Sequence, residues 1–217
     1  MAQRKQTIRR KADPKRNALL ISLHPSQAVI LLLAFSVIGA VLGVFAWKGF
    51  NKAREIKDRP FLYDELIVKY GLQNGVDPPL LKAVIWKESR FNAQARGDKG
   101  EIGLMQLLPG GAVKDWEDRF HQKVKSKGLL TNPELNIQIG SWYLGRALER
   151  WKDYTEREAL ALCEYNAGLK RADSWKPLLH DGEVIPNIDI ESTRKYVKDI
   201  LERRDKYKRE WNWEKHL

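Results

Sequence analysis

From Ala28 to Trp47 the chain runs AVILLLAFSVIGAVLGVFAW, twenty residues without a charge. Beyond residue 60 the apolar positions become spaced. Phe61, Leu62, Leu66, Ile67 and Tyr70 recur at helical intervals and predict a helix over 61–73. The next helix opens with Asp77 as N-cap and Pro78 at the first helical position. Leu80, Leu81, Val84 and Ile85 form its stripe. Glu88 lies four residues beyond Val84 and seven beyond Leu81, which puts an ionisable group on the core-facing side. Further helices are expected at 110–126, at 133–151 behind an Asn132 cap and Pro133, at 156–167 up to Gly168, and at 191–210. No convincing strand alternation is present, and 182–186 (GEVIP) is the best short extended piece. The expectation is a mostly α domain without internal repeats.

The continuous run needs a different explanation. At about 1.5 Å rise per residue it matches a hydrocarbon core about 30 Å thick. Arg4, Lys5, Arg9, Arg10, Lys11, Lys15 and Arg16 precede it, so the positive-inside rule places that end in the cytoplasm and everything after Trp47 outside. A cleaved signal peptide would have a shorter apolar region and a small-x-small site, whereas Ala46 is followed by Trp47 and Lys48. A buried core helix would show a polar face. The division expected is a basic cytoplasmic N-terminus (1–27), a transmembrane signal anchor (28–47), a linker (48–60), a helical domain (61–210) and a tail (211–217). Gly39 and Gly43 form a lone small-xxx-small pair, a weak signal for helix packing.

The net charge of +11 is concentrated at that end. Residues 1–50 hold eight Lys/Arg against one Asp, and the remainder holds 31 against 27. A nucleic-acid-binding domain is therefore not indicated. The single cysteine, Cys163, excludes an internal disulfide and a multi-thiolate zinc site, and reads as a core residue. His24, His121, His180 and His216 lack metal-ligand spacing. No metal and no cofactor are expected.

A carboxyl on an apolar face is desolvated, which raises its pKa. At a helix C-terminus the dipole further disfavours its charge. A carboxylic acid kept protonated near neutral pH is what general-acid chemistry requires. From periodicity alone, the simpler reading of Glu88 is a helix-end glutamate paired with Lys87, Arg90 or Lys82.

Several short motifs occur in order along the chain. They are Glu88-Ser89 followed by Phe91-Asn92, GLMQLLP at 103–109, NPELNI at 132–137, EYNAG at 164–168 and TRKYV at 193–197. One alone would be weak, but the ordered set over about residues 60–205 resembles the soluble lytic transglycosylase (SLT) catalytic domain, with its lysozyme-like, goose-type fold. The resemblance implies non-hydrolytic cleavage of the β-1,4 bond between N-acetylmuramic acid and N-acetylglucosamine in peptidoglycan. Glu88 matches the catalytic glutamate, first acid and then base toward the C6 hydroxyl of the same sugar. Ser89 matches its partner and would hydrogen-bond substrate. Gly103 would let backbone approach the glycan, Met105 would pack against it and Gln106 would hydrogen-bond to it. Tyr165 and Asn166 match the segment beside the glutamate, and Tyr196 matches a tyrosine reaching the site from the last helix.

The chain departs from the family pattern at Ala93, where a proline is usual, at Asp98 and Glu101 in the loop, and at Glu164 before the tyrosine. These carboxyls read as solvated surface charge. Were Asp98 or Glu101 to face the cleft, it would hold a water opposite Glu88 and turn the chemistry toward inverting hydrolysis. The readings carried forward are an inner-membrane-anchored lytic transglycosylase facing the periplasm, a water-using muramidase, and a non-catalytic glycan-binding module. The partners implied are glycan strands, the inner membrane through the N-terminal helix, and wall-synthesis or secretion-machinery proteins, with no nucleic acid. The tail, with Trp211 and Trp213 among basic residues, reads as a solvated helix end open to sugar stacking or a membrane surface.

Overall fold

The computed structural model describes residues 25–217. The expected cytoplasmic segment lies, up to residue 24, outside the described residues. Two compact units divide between Arg54 and Glu55.

The first unit is built on helix α1 (Pro25–Asp58), whose C-terminal end runs into the second unit. Its apolar side chains from Phe35 to Phe50, among them Ile38, Leu42, Phe45 and Trp47, are exposed around the whole circumference. Among the described residues no helix is long and apolar enough to cross a membrane. Several side chains of the 28–47 run, including those of Ile30 to Leu32, lie outside the described residues.

The second unit is mostly helical. Its helices are α2 (Asp64–Gln73), α3 (Pro78–Ser89), α4 (Lys114–Phe120), α5 (Pro133–Arg150), α6 (Arg157–Ala167), α7 (Leu169–Trp175) and α8 (Glu191–Glu210). Helix α3 is the axis of the packing. Every residue from Pro78 to Ile85 is buried, and α2 and α8 pack along it. The sequence reading gave α3 one apolar stripe, but the helix is enclosed on all sides. The short and apolar residues of PPLLKAVI allow this, and the buried Lys82 has its own partner. Lys82 Nζ lies 2.5 Å from Asp64 Oδ1 and stands over the ring of Trp211, 3.9 Å from its centroid.

Local chemistry explains most boundaries. Asn132 caps α5 as expected, its Oδ1 accepting from the Leu135 amide at 3.0 Å. Asp77 occupies the N-cap of α3, but its carboxylate makes no capping bond and pairs with Lys208 at 3.0 Å. With proline at the first two helical positions, two of the four unpaired first-turn amides are absent, one of them a usual target of the cap. Gly168 ends α6, and α7 begins at the next residue, a helix the sequence reading did not anticipate. Ala172 and Trp175, three residues apart, are the buried positions that hold α7 down.

Three expectations need correction. The helix expected over 110–126 is only Lys114–Phe120. A turn at Pro109–Val113, with Gly111 outside helical geometry, delays its start, and His121 in the left-handed region ends it. Glu117 then draws the chain back by accepting the Val124 amide at 2.8 Å. The piece at 182–186 runs into a helical turn at Ile185–Asn187 and forms no strand. The tail is not a fraying end: Trp211 is buried, and a final turn at Trp213–His216 packs near α2.

Candidate active site

Glu88 occupies the last turn of α3, and the chain reverses immediately after it. Arg90 and Phe91 both adopt positive φ, 52° and 61°. Two consecutive left-handed residues that are not glycine are costly and persist only when the surroundings fix them. Phe91 is buried, the Asn92 amide bonds to the Ser89 carbonyl at 3.0 Å, and the Arg90 guanidinium lies 3.4 Å from the Trp86 ring centroid. The reversal brings residues 95–107 back toward Glu88 as a tight loop. Ile102 and Leu107 exchange backbone bonds at 3.1 and 3.0 Å, and the Gly103 amide reaches the Ala95 carbonyl at 2.9 Å.

Asn136, in the first turns of α5 and fully buried, pins this loop. Its Nδ2 donates to the Ile102 and Leu130 carbonyls, and its Oδ1 accepts from the Met105 amide at 2.8 Å. All of its strong hydrogen-bonding directions but one lone pair are used inside the protein. Gly103 lies against it at φ 83°, and a Cβ there would collide with the Asn136 amide and the Leu130 carbonyl. This internal contact alone requires a glycine at 103. NPELNI contains Asn136, but only the fold reveals that it binds a loop more than thirty residues upstream.

The loop and helices enclose a cavity of about 290 Å³. Glu88 from α3 and Tyr165 and Asn166 from α6 line it, opposite the loop residues Gly97, Asp98, Lys99, Glu101 and Gln106, with Leu108 beyond. Of the residues singled out in the sequence, Glu88, Gln106, Tyr165 and Asn166 therefore meet. Tyr196 joins them from α8, its hydroxyl donating to Glu88 Oε1 at 2.5 Å. Ser89, Gly103 and Met105 are placed otherwise. The Ser89 hydroxyl is buried and donates back to the Ile85 carbonyl at 3.1 Å. The Met105 side chain is fully buried against Gly140, and its carbonyl accepts from the Tyr165 hydroxyl at 2.8 Å. The expected contacts of these three with substrate find no support in their positions outside the cavity lining. Each instead shapes the site from behind.

Asp98 and Glu101 line the cavity. Glu101 Oε2 accepts from the Lys99 amide at 2.9 Å. Glu164, read as surface charge, is buried and accepts from Trp151 Nε1 at 2.9 Å beside Arg150. Thr193 was not singled out by the sequence reading. Its hydroxyl donates to Asn166 Oδ1 at 2.9 Å.

Glu88 makes no ion pair with the cations beside it. Lys87 bonds to Asp199 at 2.7 Å, Lys82 to Asp64, and Arg90 stacks on Trp86. Burial pushes the Glu88 carboxyl up to about 7; the Glu101 charge adds to this, while the Tyr196 hydrogen bond and Lys87 hold it down. Burial and the neighbouring Glu88 charge also keep the Tyr165 and Tyr196 phenols well above their ordinary range. Neither is a proton source near neutrality. Because the Tyr196 hydroxyl stabilises the ionised carboxylate, Tyr196→Phe is expected to raise the Glu88 pKa further. Carbon-13 NMR titration of the side-chain carboxyl measures this directly, and a fall would contradict the assignment.

One acid poised near neutrality, held by a buried tyrosine and walled by polar side chains, suits proton transfer to and from a bound ligand. Known proteins share this arrangement of elements. Lytic transglycosylase Slt from Pseudomonas aeruginosa, solved as an inactive mutant, superposes with a TM-score of 0.62 at 28% identity, covering 71% of this chain and 25% of that one. A 70-kDa soluble lytic transglycosylase in complex with bulgecin A gives a TM-score of 0.60 at 26% identity, covering 70% and 25%. In sequence, a soluble lytic murein transglycosylase from Salmonella typhimurium is 28% identical over 65% of this chain and 22% of its own length. A membrane-bound lytic murein transglycosylase C from Actinobacillus pleuropneumoniae is 25% identical over 70% and 47%. The chain thus spans about a fifth of the length of the soluble relatives and about half that of the membrane-bound one. The transglycosylase SLT domain model matches residues 65–182, more than half of the sequence. That stretch holds both the glutamate that ends α3 and the Tyr-Asn pair that ends α6, and the chain belongs to the transglycosylase SLT domain family.

Proposed function

We propose that this chain is a peptidoglycan lytic transglycosylase that cleaves the β-1,4 bond between N-acetylmuramic acid and N-acetylglucosamine, leaving a 1,6-anhydro muramyl end. The observation that carries the reading is the half-buried Glu88 carboxyl, its pKa pushed up to about 7, in a polar cavity within an SLT domain. Glu88 begins protonated and gives its proton to the glycosidic oxygen as the C1–O bond breaks. The carboxylate it becomes then takes the proton of the C6 hydroxyl while that oxygen bonds to C1. No water is consumed, and Glu88 ends protonated. The attacking hydroxyl belongs to the same sugar, so proximity replaces the second carboxylate of most glycosidases. Tyr196 steadies the carboxylate between the two steps, and Gln106, Tyr165 and Asn166 bind the sugars. Ser89, Gly103 and Met105 support the loop and helix that present these groups.

The apolar run 28–47 anchors the domain in the inner membrane, with the basic N-terminus in the cytoplasm and the SLT domain in the periplasm. The absence of any charge over twenty residues, the basic flank before them and the exposed apolar circumference of α1 support this, as does a relative named membrane-bound. Peptidoglycan lies on that side, where wall-synthesis and secretion machinery are also met.

A second reading rests on Asp98 and Glu101, which share the cavity with Glu88. Either carboxylate would activate a water and make the enzyme an inverting muramidase. Mass spectrometry of fragments released from purified peptidoglycan by the full chain decides between them. Anhydro products, one water lighter than the hydrolysed ones, are expected. Reducing ends would establish the muramidase, and intact glycan that remains bound would leave a binding module.

A further inference from the structure

We infer that the groove around Trp86 is a docking surface for anionic phospholipid headgroups, which holds the SLT domain against the bilayer. The inference rests on the proposed membrane anchor and adds a second contact with the same membrane. Trp86 and Arg203 meet where α3 and α8 run side by side. The Arg90 and Arg203 guanidiniums lie 3.4 and 3.9 Å from the Trp86 ring centroid. Two such groups do not fit on one face of an indole at those distances, so they stand on opposite faces. Stacking occupies the flat sides of both guanidiniums. Their N–H edges, which suit bidentate bonds to phosphate oxygens, have no acceptor among the described residues.

Covering an indole is an ordinary use of one arginine, but this groove of about 390 Å³ gathers more charge than that. Lys206 and Arg209 line it with Arg203. Lys206 reaches Glu210 only at 3.7 Å, and Arg209 has no ion-pair partner among the described residues. Of the two acids in the lining, Asp199 is already taken by Lys87 at 2.7 Å and Lys195 at 3.3 Å, which leaves Glu202 against the cations. The seam continues one turn along both helices to Lys82 and Tyr207, where the ring of Phe61 stands 5.3 Å from the ammonium. Phe61 and its neighbour Leu62 are exposed. A free phosphate or carboxylate would use the guanidinium edges and leave these apolar side chains unaccounted for. A headgroup layer takes cations and apolar side chains together. The chain also delivers this end of the domain to the bilayer: residues 48–60, between the apolar run and Phe61, span at most about 45 Å when fully extended.

The test inserts the full chain into vesicles of phosphatidylcholine, with or without phosphatidylglycerol. A fluorophore is attached through Asn212→Cys, an exposed position near Arg209, while the native Cys163 is buried and does not react. Energy transfer to headgroup-labelled lipid then reads how closely the domain approaches. Transfer is expected to rise with phosphatidylglycerol and to fall back as salt is added. At about fivefold per charge removed, Lys206→Gln with Arg209→Gln should lower the ratio of docked to free domain about 25-fold. Lys125→Gln with Lys127→Gln, exposed cations on the loop after α4, should leave it unchanged. Equal transfer in the two lipids would overturn the inference and leave the groove to a soluble acidic partner. A loss in the loop variant as large as in the groove variant would also overturn it, since overall charge and not this groove would then hold the domain. Failure of the full chain to enter either vesicle is a separate result: it would remove the anchor reading, and the docking with it.

Discussion

Glu88→Gln is expected to abolish glycan cleavage and, above pH 7, to stabilise the protein. Glutamine keeps the shape and still accepts the Tyr196 hydrogen bond, but it neither gives nor takes a proton. Loss of a general acid alone costs about 10²–10⁴-fold in rate. Here one carboxyl serves as acid and then as base, so the loss should reach at least the upper part of that range. The stability gain follows from burial. In the unfolded chain this carboxyl titrates near its ordinary value of 4.5, and in the folded protein near 7. Between those values the folded state keeps a proton that the unfolded state releases, so the wild type loses stability as pH rises and the loss levels off above about 7. At about 1.4 kcal/mol per pH unit the gap makes about 3 kcal/mol. Thermal unfolding of both proteins from pH 4 to pH 8 should therefore show curves that coincide at the acid end and separate toward neutrality, the variant on top. A variant less stable than the wild type at pH 8 would mean that Glu88 is paired rather than desolvated. Retained anhydro products would remove it from the chemistry altogether. The same titration limits the active range: cleavage should decline as pH rises through about 7, because the proton-loaded enzyme begins the cycle.

The sequence carried those parts of the architecture that depend on neighbours along the chain. Asn132 and Pro133 mark the start of α5 because a cap and its amide lie within three residues of each other. Gly168 marks the end of α6 for the same reason. Glu88 was legible as a misplaced charge, since Val84 and Leu81 sit on its face one and two turns earlier. What remained hidden depends on partners far away in sequence. Glu164 looked solvated, yet Trp151 and Arg150 reach it from the end of α5. Met105 looked like a cleft residue, yet Gly140 leaves the hollow that its thioether fills. Asn166 gave no sign of its tie to α8, because Thr193, whose hydroxyl reaches it, is 27 positions away. Helix α4 stopped early at a histidine in the left-handed region, a conformation favoured by glycine that no glycine announced. At Glu164, Met105 and Asn166 the side chain reads by default as facing solvent or ligand, and tertiary packing supplies an internal partner.

The ion pair under the tail exemplifies such a partner, and breaking it has the second large expected effect. Lys82 and Asp64 are both almost inaccessible to solvent, and the ammonium sits among the rings of Trp211, Phe61 and Tyr207 at 3.9, 5.3 and 5.4 Å from their centroids. Burial pushes the Lys82 pKa down while Asp64 holds it up. Charge, aromatic faces and the packing of the tail thus converge on one nitrogen. Lys82→Ala removes the counter-charge and leaves the Asp64 carboxylate buried with only His216, 3.7 Å away, beside it. Removing one partner of a buried pair typically costs about 3–5 kcal/mol. Replacing both, with Lys82→Met and Asp64→Asn, removes the uncompensated charge and should recover most of that loss. Thermal unfolding reads the cost, and tryptophan fluorescence reads the release of Trp211 from its place above the ammonium. A single substitution costing less than about 1 kcal/mol, in the range of a solvated pair, would show that water reaches Asp64. A double variant no more stable than the single one would show that the aromatic rings, rather than the carboxylate, are what Lys82 holds. Glu88 should titrate alike in all of these proteins, because its shift comes from burial, Tyr196, Glu101 and Lys87 rather than from the Lys82 pair.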